Sequence, residues 1–249
     1  MFRRIFASTV VLSLFAVEGF SEAARPLLTR ENKLPDLYQL EGNLSYAHRD
    51  WNGTETDSAI ADIRFGLYEN LTFRAAVPFV RAKSNGSTRE GIGDTVLGLE
   101  LLAFEDIFRA PFIIPHVSAS LKTGDEDKGT GSGVNVYVAG VSVGTKVWDD
   151  FTFIVDASYL FNGADEGDSD TFQLAGSVIW DIGPRFAMLA EGRLLEKNDF
   201  DKTPYQIVGG AVYKVTPDVS IGAYGGQTRN DSFVRNSEDL VQLRLSVSF

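Results

Sequence analysis

An all-β fold, a twelve-stranded antiparallel transmembrane β-barrel of the outer-membrane type, is what this sequence predicts, on three observations. Twelve segments alternate apolar and polar residues with the period of two that belongs to a strand. The connections alternate short turns with longer polar loops, and the strand count is even, as single-chain bacterial barrels require. Aromatic residues collect at both ends of the segments, where a bilayer barrel carries its interfacial girdles.

Residues 1–23 read as a secretory signal. Arg3 and Arg4 give the positive start, residues 5–17 the apolar stretch, and Ser21-Glu22-Ala23 a small-x-small cleavage site, so export through the Sec route with cleavage after Ala23 is expected. The apolar run, about 13 residues, is shorter than the roughly 18 that a spanning helix needs. The chain has no cysteine, which excludes a lipid anchor on an N-terminal Cys, disulfides and thiolate metal sites. Residues 24–37 are expected as a periplasmic N-terminal extension mixing apolar and charged residues with two prolines. Two arrangements are open to it: a plug entering the lumen from the periplasm, or a disordered leader. Residues 38–249 form the barrel, one domain with no linker or break in composition.

The strands are expected near residues 38–49, 59–68, 71–82, 94–102, 112–122, 134–146, 151–162, 171–181, 185–195, 205–214, 219–226 and 240–249. With both termini in the periplasm, the tight turns at 68–70, 147–150, 182–184 and 215–218 face the periplasm. Only the connection 103–111 is long for that side. The loops 83–93, 123–133 and 227–239, rich in Gly, Ser, Asn and Asp, face outward from the cell.

The final strand shows the pattern most plainly. Val241, Leu243, Leu245, Val247 and Phe249 share one face, while Gln242, Arg244, Ser246 and Ser248 share the other. A terminal strand that closes on Phe resembles the assembly signal of bacterial outer-membrane barrels. The resemblance gives Phe249 that role, with the barrel assembly machinery as partner.

Across the chain, one face carries Leu40, Leu44, Ile63, Phe65, Phe73, Val77, Leu97, Leu99, Val117, Leu121, Val141, Val143, Val155, Leu174, Val178, Met188, Ile207 and Ile221. The other carries Glu41, Asp62, Arg64, Arg74, Glu100, Lys122, Lys146, Asp156, Glu191, Arg193 and Arg244, the residues expected to line the lumen. An Arg or Lys turned to lipid at the bilayer midplane costs about 2–4 kcal/mol, so hydrocarbon outside fixes the register against a one-residue slip. A soluble sandwich or lipocalin-like barrel would bury the apolar face instead, and alternation does not separate the two. The aromatics do. Tyr38, Phe73, Trp148, Phe151, Trp180, Phe186, Tyr213 and Phe249 fall near the periplasmic ends, and Tyr46, Trp51, Phe79, Tyr137, Tyr159, Phe161, Phe172 and Tyr205 near the outer ends.

The formal charge of −11 argues against a nucleic-acid partner. Its clearest clusters, Asp125-Glu126-Asp127 and Asp165-Glu166-Gly167-Asp168, lie in loops. They are solvated charge, or contacts for divalent cations or cation-bridged lipopolysaccharide; neither has EF-hand spacing. No cofactor and no metal are expected. The partners are outer-membrane lipid, lipopolysaccharide and a small-molecule solute, and the chain is expected to be a monomer.

Function divides into three classes. Twelve strands lie between the filled eight-stranded barrel and the water-filled channel of sixteen or more, which predicts a restricted lumen. The inward charges are then a structural ion-pair network, the walls of a solute path, or both. A barrel hydrolase needs a base, and the only histidines are His48 and His116, the latter beside Ser118 and Ser120 on one strand face, which is not a nucleophile–base motif. No catalytic residue is assigned. The third class is a passive wall or surface-interaction barrel.

Three motifs remain: Gly91-Ile92-Gly93-Asp94, then Ser120-Leu121-Lys122-Thr123-Gly124-Asp125, then Gly129-Thr130-Gly131-Ser132-Gly133. They lack P-loop spacing and suit loop-to-strand junctions. Together they resemble a family of outer-membrane barrels named for the meta-pathway of phenol degradation, or for transport. Lys122 stands where that family usually has Pro. The resemblance implies passage of small, often apolar or aromatic, solutes.

Overall fold

A computed structural model describes residues 27–31, 33–51, 54–84, 86–106, 111–148, 150–163, 170–197, 204–229 and 237–249. The signal peptide, its cleavage after Ala23 and the acidic cluster at 165–168 lie outside these residues. The described elements are all strands of one antiparallel sheet: β1 (Leu40–Trp51), β2 (Thr54–Tyr68), β3 (Leu71–Ser84), β4 (Ser87–Ile92), β5 (Thr95–Leu101), β6 (Phe104–Glu105) and β7 (Phe112–Leu121). It continues through β8 (Val136–Val147), β9 (Phe151–Asn162), β10 (Thr171–Ile182), β11 (Phe186–Lys197), β12 (Tyr205–Lys214), β13 (Val219–Arg229) and β14 (Ser237–Ser248).

β4 and β5 pair successively with the two halves of β3, so they are one barrel stave interrupted at Gly93-Asp94. β6 is a two-residue ribbon on β7 within the long periplasmic connection. The remaining staves pair with their sequence neighbours, and β1 pairs with both β2 and β14, closing a twelve-stranded barrel. Closure pairs the membrane-crossing staves on both sides, which is the condition for strands to cross hydrocarbon; β4, above them, and β6, in the periplasmic connection, each pair on one side alone. At the seam Phe249 N donates to Leu40 O (2.9 Å), so the last residue ties the C-terminal strand to the first.

Burial follows the period of two. Leu44, Ile63, Val117, Val155, Met188, Ile207 and Leu245 are exposed on the outer surface, and the residues between them are buried inside. Around this band run the two girdles. Trp148, Trp180, Phe186, Tyr213 and Phe249 are exposed near the periplasmic end, where the Phe151 and Trp180 rings stack at 5.6 Å. Tyr46, Phe79, Tyr137, Tyr159, Phe161 and Phe172 are exposed near the outer end. No described helix is long and apolar enough to cross a membrane; the crossing elements are strands.

The structure corrects one connection. Residues 83–93 are not a free outer loop: β3 and β4 continue as a hairpin paired from Phe79↔Ile92 to Ser84↔Ser87. Above the bilayer neither face needs to be apolar, so the hydrophobic alternation stops while the backbone ladder continues. β2, which begins at Thr54, extends upward in the same way.

Candidate functional site

The inward side chains hold this site, and they fall into groups by wall. On β1–β5 opposite charges meet across neighbouring strands. Arg64, fully buried, donates to Glu41 Oε2 (2.9 Å) and Glu100 Oε2 (2.8 Å). One strand on, Arg74 Nε donates to Asp62 Oδ1 (3.2 Å). The register opposes Arg64 to both Glu41 and Arg74, so the like charges of neighbouring strands are interleaved with carboxylates.

On β7–β11 the acids have other partners. Asp156 accepts hydrogen bonds from the Ser142 and Ser158 hydroxyls, and its Oδ2 lies 2.8 Å from His116 Nε2. Arg193 donates to Gln173 Oε1 (3.3 Å) and Gln206 Oε1 (2.7 Å). Below these, toward the periplasm, the inward face is apolar: Phe112, Ile114, Ile154, Ile179, Leu189, Val208 and Val212 are buried.

The segment before β1 completes the site. Leu27 and Leu28 are buried in the same cluster as those inward apolar side chains. The Glu191 carboxylate accepts the Leu27 N–H (2.6 Å) and the Leu28 N–H (2.7 Å), and also the Ser177 hydroxyl (3.1 Å). Thr29 and Ser177 share a hydroxyl–hydroxyl bond of 2.8 Å, and Arg30 N donates to Ser142 Oγ (3.1 Å). Arg30 then reaches the other wall, its Nε 2.9 Å from Glu100 Oε1. Contacts to β5, β8, β10 and β11 from four consecutive residues place this stretch across the lumen. Of the two arrangements open to the extension, the described part adopts the plug.

Of the eleven residues expected inside, Glu41, Asp62, Arg64, Arg74, Glu100, Asp156, Glu191, Arg193 and Arg244 are buried on the inward face. Lys122 and Lys146 are not. Lys122 follows the last residue of β7, and Lys146 is next to last in β8 at the periplasmic rim; both keep the inward parity but are exposed. Strand alternation identifies a face but not the height at which the lumen opens to water. His48 lies far from the lumen, on the outer face, where its Nδ1 and the Tyr46 hydroxyl both meet Asp57 Oδ1 (2.8 and 2.7 Å). His116 is turned to Asp156, and the Ser142 and Ser158 hydroxyls donate to that same carboxylate.

The glycine motifs meet at the outer end. Asp94, wholly buried, accepts Gly124 N–H (2.9 Å), Ser132 N–H (2.7 Å) and Ser132 Oγ–H (2.6 Å). Gly124 and Gly131 lie backbone to backbone: a Cβ on Gly124 would stand 2.6 Å from Gly131 Cα. Thr130 O approaches the inward side of Gly93, beside buried Pro78, so the loop is folded against the inner wall at the mouth. At its tip Arg89 holds Asp127 O (3.2 Å). Asp125 accepts Lys128 N–H (3.1 Å), which chiefly holds its carboxyl below the usual carboxylate range. Among the described residues no group of three or more His, Asp or Glu side chains is placed to hold a metal ion.

A closed barrel with a lipid-facing apolar band, two aromatic girdles and an ionic interior defines an outer-membrane β-barrel protein. A family model described as "Putative MetA-pathway of phenol degradation" matches residues 36–236, so the chain belongs to that family. Similar solved structures include an outer membrane channel from Pseudomonas putida F1, with a TM-score of 0.72 and 13% identity over 88% of this chain and 98% of that one. The NanC porin matches with a TM-score of 0.63 and 12% identity over 83% of this chain and 98% of that one. The KdgM porin in complex with oligogalacturonate gives 0.58 and 13%, over 83% and 99%. At these identities the likeness is one of fold. A search of curated protein sequences finds no match.

Proposed function

We propose that the protein is a narrow outer-membrane channel for small solutes, closed in this conformation by its own residues 27–31. One observation carries this reading: the lumen is lined by charged and polar groups, and a separate segment occupies it through main-chain hydrogen bonds to Glu191 and Ser142. A barrel that only stiffened the membrane could fill its interior from the strands alone. Displacing the segment exposes Glu191, Ser177, Ser142 and Glu100 along one continuous inner surface. The family's description directs the choice of solute toward small aromatic compounds. Arg64, Arg74 and Arg193 brace the walls as well as line them. Outer-membrane lipid and lipopolysaccharide surround a monomeric barrel, and the assembly machinery reads the strand ending in Phe249. Export with cleavage after Ala23 leaves the plug near the new N-terminus. No step here needs catalysis, a cofactor or a metal.

Planar-bilayer recordings of the purified protein test the proposal. Discrete conductance that rises when residues 24–31 are deleted is expected. A barrel that stays silent in both forms, and is insensitive to Arg74→Ala and Arg193→Ala, would instead be a structural or surface-interaction barrel.

A further inference from the structure

The wall formed by β13, β14 and β1 gathers unmatched polar groups that elsewhere in the interior, as at Thr72 and Ser120, stand singly. Buried polar groups nearly always have a hydrogen-bonding partner. Here Ser220 Oγ, Ser246 Oγ, both amide atoms of Asn43, Gln242 Nε2 and the Tyr224 hydroxyl have none among the described residues, although each residue is at least nine-tenths buried. They are contiguous. Ser246 stands opposite both Ser220 and Asn43, and Gln242 stands opposite Tyr224. Arg244 occupies the row between, its guanidinium carbon 5.2 Å from the centre of the Tyr224 ring. The ring lies flat on the wall because Gly210 and Gly222 leave its place open: a Cβ on Gly222 would stand 2.8 Å from it, and one on Gly210 would collide. The plug makes its hydrogen bonds to the other walls and leaves this one unmatched.

We propose that this wall is a binding track for an uncharged, hydroxyl-rich solute, a small polyol or sugar; this rests on the channel reading but departs from the aromatic class that the family's description suggests. The unmatched groups are neutral and of mixed character: Asn43 both donates and accepts, the three hydroxyls do either, and Gln242 Nε2 donates. A hydroxyl group likewise donates and accepts, so a chain of hydroxyls satisfies such a row. An apolar ring would leave the same groups buried and unsatisfied. Asp62, opposite Asn43, and Arg244, in the row between, set one charge of each sign at this wall, which favours neither an anion nor a cation.

The test is binding to the full chain in detergent, read by saturation-transfer NMR with xylitol, toluene and succinate as probes. Xylitol is expected to bind in preference to the others. Asn43→Leu and, separately, Ser246→Ala are expected to weaken it roughly three- to tenfold each, the loss of one or two hydrogen bonds, while Lys128→Ala leaves it unchanged. Heat-modifiable migration checks that each variant is folded. Absent xylitol binding, preference for toluene or succinate, or xylitol binding unchanged in both variants would overturn the proposal. Binding without conductance would remove the channel and leave the track; conductance without xylitol binding would remove the track and leave the channel.

Discussion

The walls β1–β5 and β7–β11 obey the same alternation, bury comparable numbers of polar side chains and solve the problem of buried charge in opposite ways. On β1–β5 the strands supply both signs, and Arg64 is enclosed by Glu41 and Glu100. On β7–β11 Glu191 has, among the described residues, no arginine at hydrogen-bonding distance; its carboxylate accepts from two N–H groups of the plug and a serine hydroxyl. A buried carboxylate must have compensating donors. The Glu41 and Glu100 carboxylates therefore find an arginine on the strands themselves, whereas the Glu191 carboxylate is satisfied only with the plug seated. The contrast separates bracing from gating within a single barrel.

Breaking the strand-to-strand ion pairs is expected to have the largest effect. Arg64→Met leaves Glu41 and Glu100 buried without their shared partner, and removal of one member of such a pair costs about 3–5 kcal/mol. Urea unfolding in lipid vesicles measures it, and a midpoint close to the parent's would mean that the ionic lattice does not hold this wall. The plug-dependent wall should respond differently. Leu28→Ala removes apolar surface packed inside the barrel, worth about 2–3 kcal/mol of plug seating at the lower end of core truncations. Conductance should show more frequent or longer openings while the barrel's own unfolding midpoint moves little. A large loss of barrel stability with no change in openings would erase the distinction between the walls.

What could be read from the sequence follows the same division. Strand positions, register and the outward band were legible because lipid imposes one sign of hydrophobicity on every second residue. Nine of the inward charges were legible for the same reason. Which of the two arrangements the N-terminal extension takes was not, since Leu27-Leu28-Thr29-Arg30 has no periodicity and is ordered only by residues far along the chain, such as Glu191. Nor was the apolar lower half of the lumen: Ile114, Ile154 and Ile179 carry the inward parity, yet the sequence does not say that leucines from elsewhere will cover them. The hairpin above the membrane was hidden because its ladder needs no apolar face. The glycine motifs were visible as junctions, but their meeting at Asp94 depends on a loop folding back across about thirty residues.

That meeting at the mouth gives an effect of intermediate size. Asp94→Asn keeps one acceptor oxygen and replaces the other with a donor facing Ser132 or Gly124 donors, at a cost of about 1–3 kcal/mol for a buried group left unmatched. Because the loop lies above the bilayer, the change should appear as proteolytic cutting between residues 123 and 133, with unfolding of the barrel almost unaffected. If the loop stayed protected, the glycine contact between Gly124 and Gly131 would be holding it without the carboxylate.

The smallest effect distinguishes the lumen from its rims. Lys122 and Lys146 share the parity of the buried charges but stand in water at the strand ends, where a cation gains little from neighbours and loses little by removal. Lys122→Ala and Lys146→Ala are each expected to change stability by no more than about 0.5 kcal/mol. Their effect on current should be a modest shift in ion selectivity that fades at high salt, because exposed charge is screened over about 10 Å at 0.1 M and 3 Å at 1 M. Arg193, buried and held by two glutamines, should by contrast alter selectivity at every salt concentration. Equal salt sensitivity for Arg193→Ala and Lys122→Ala would place both at the same depth, and the boundary between wall and rim would have to move inward.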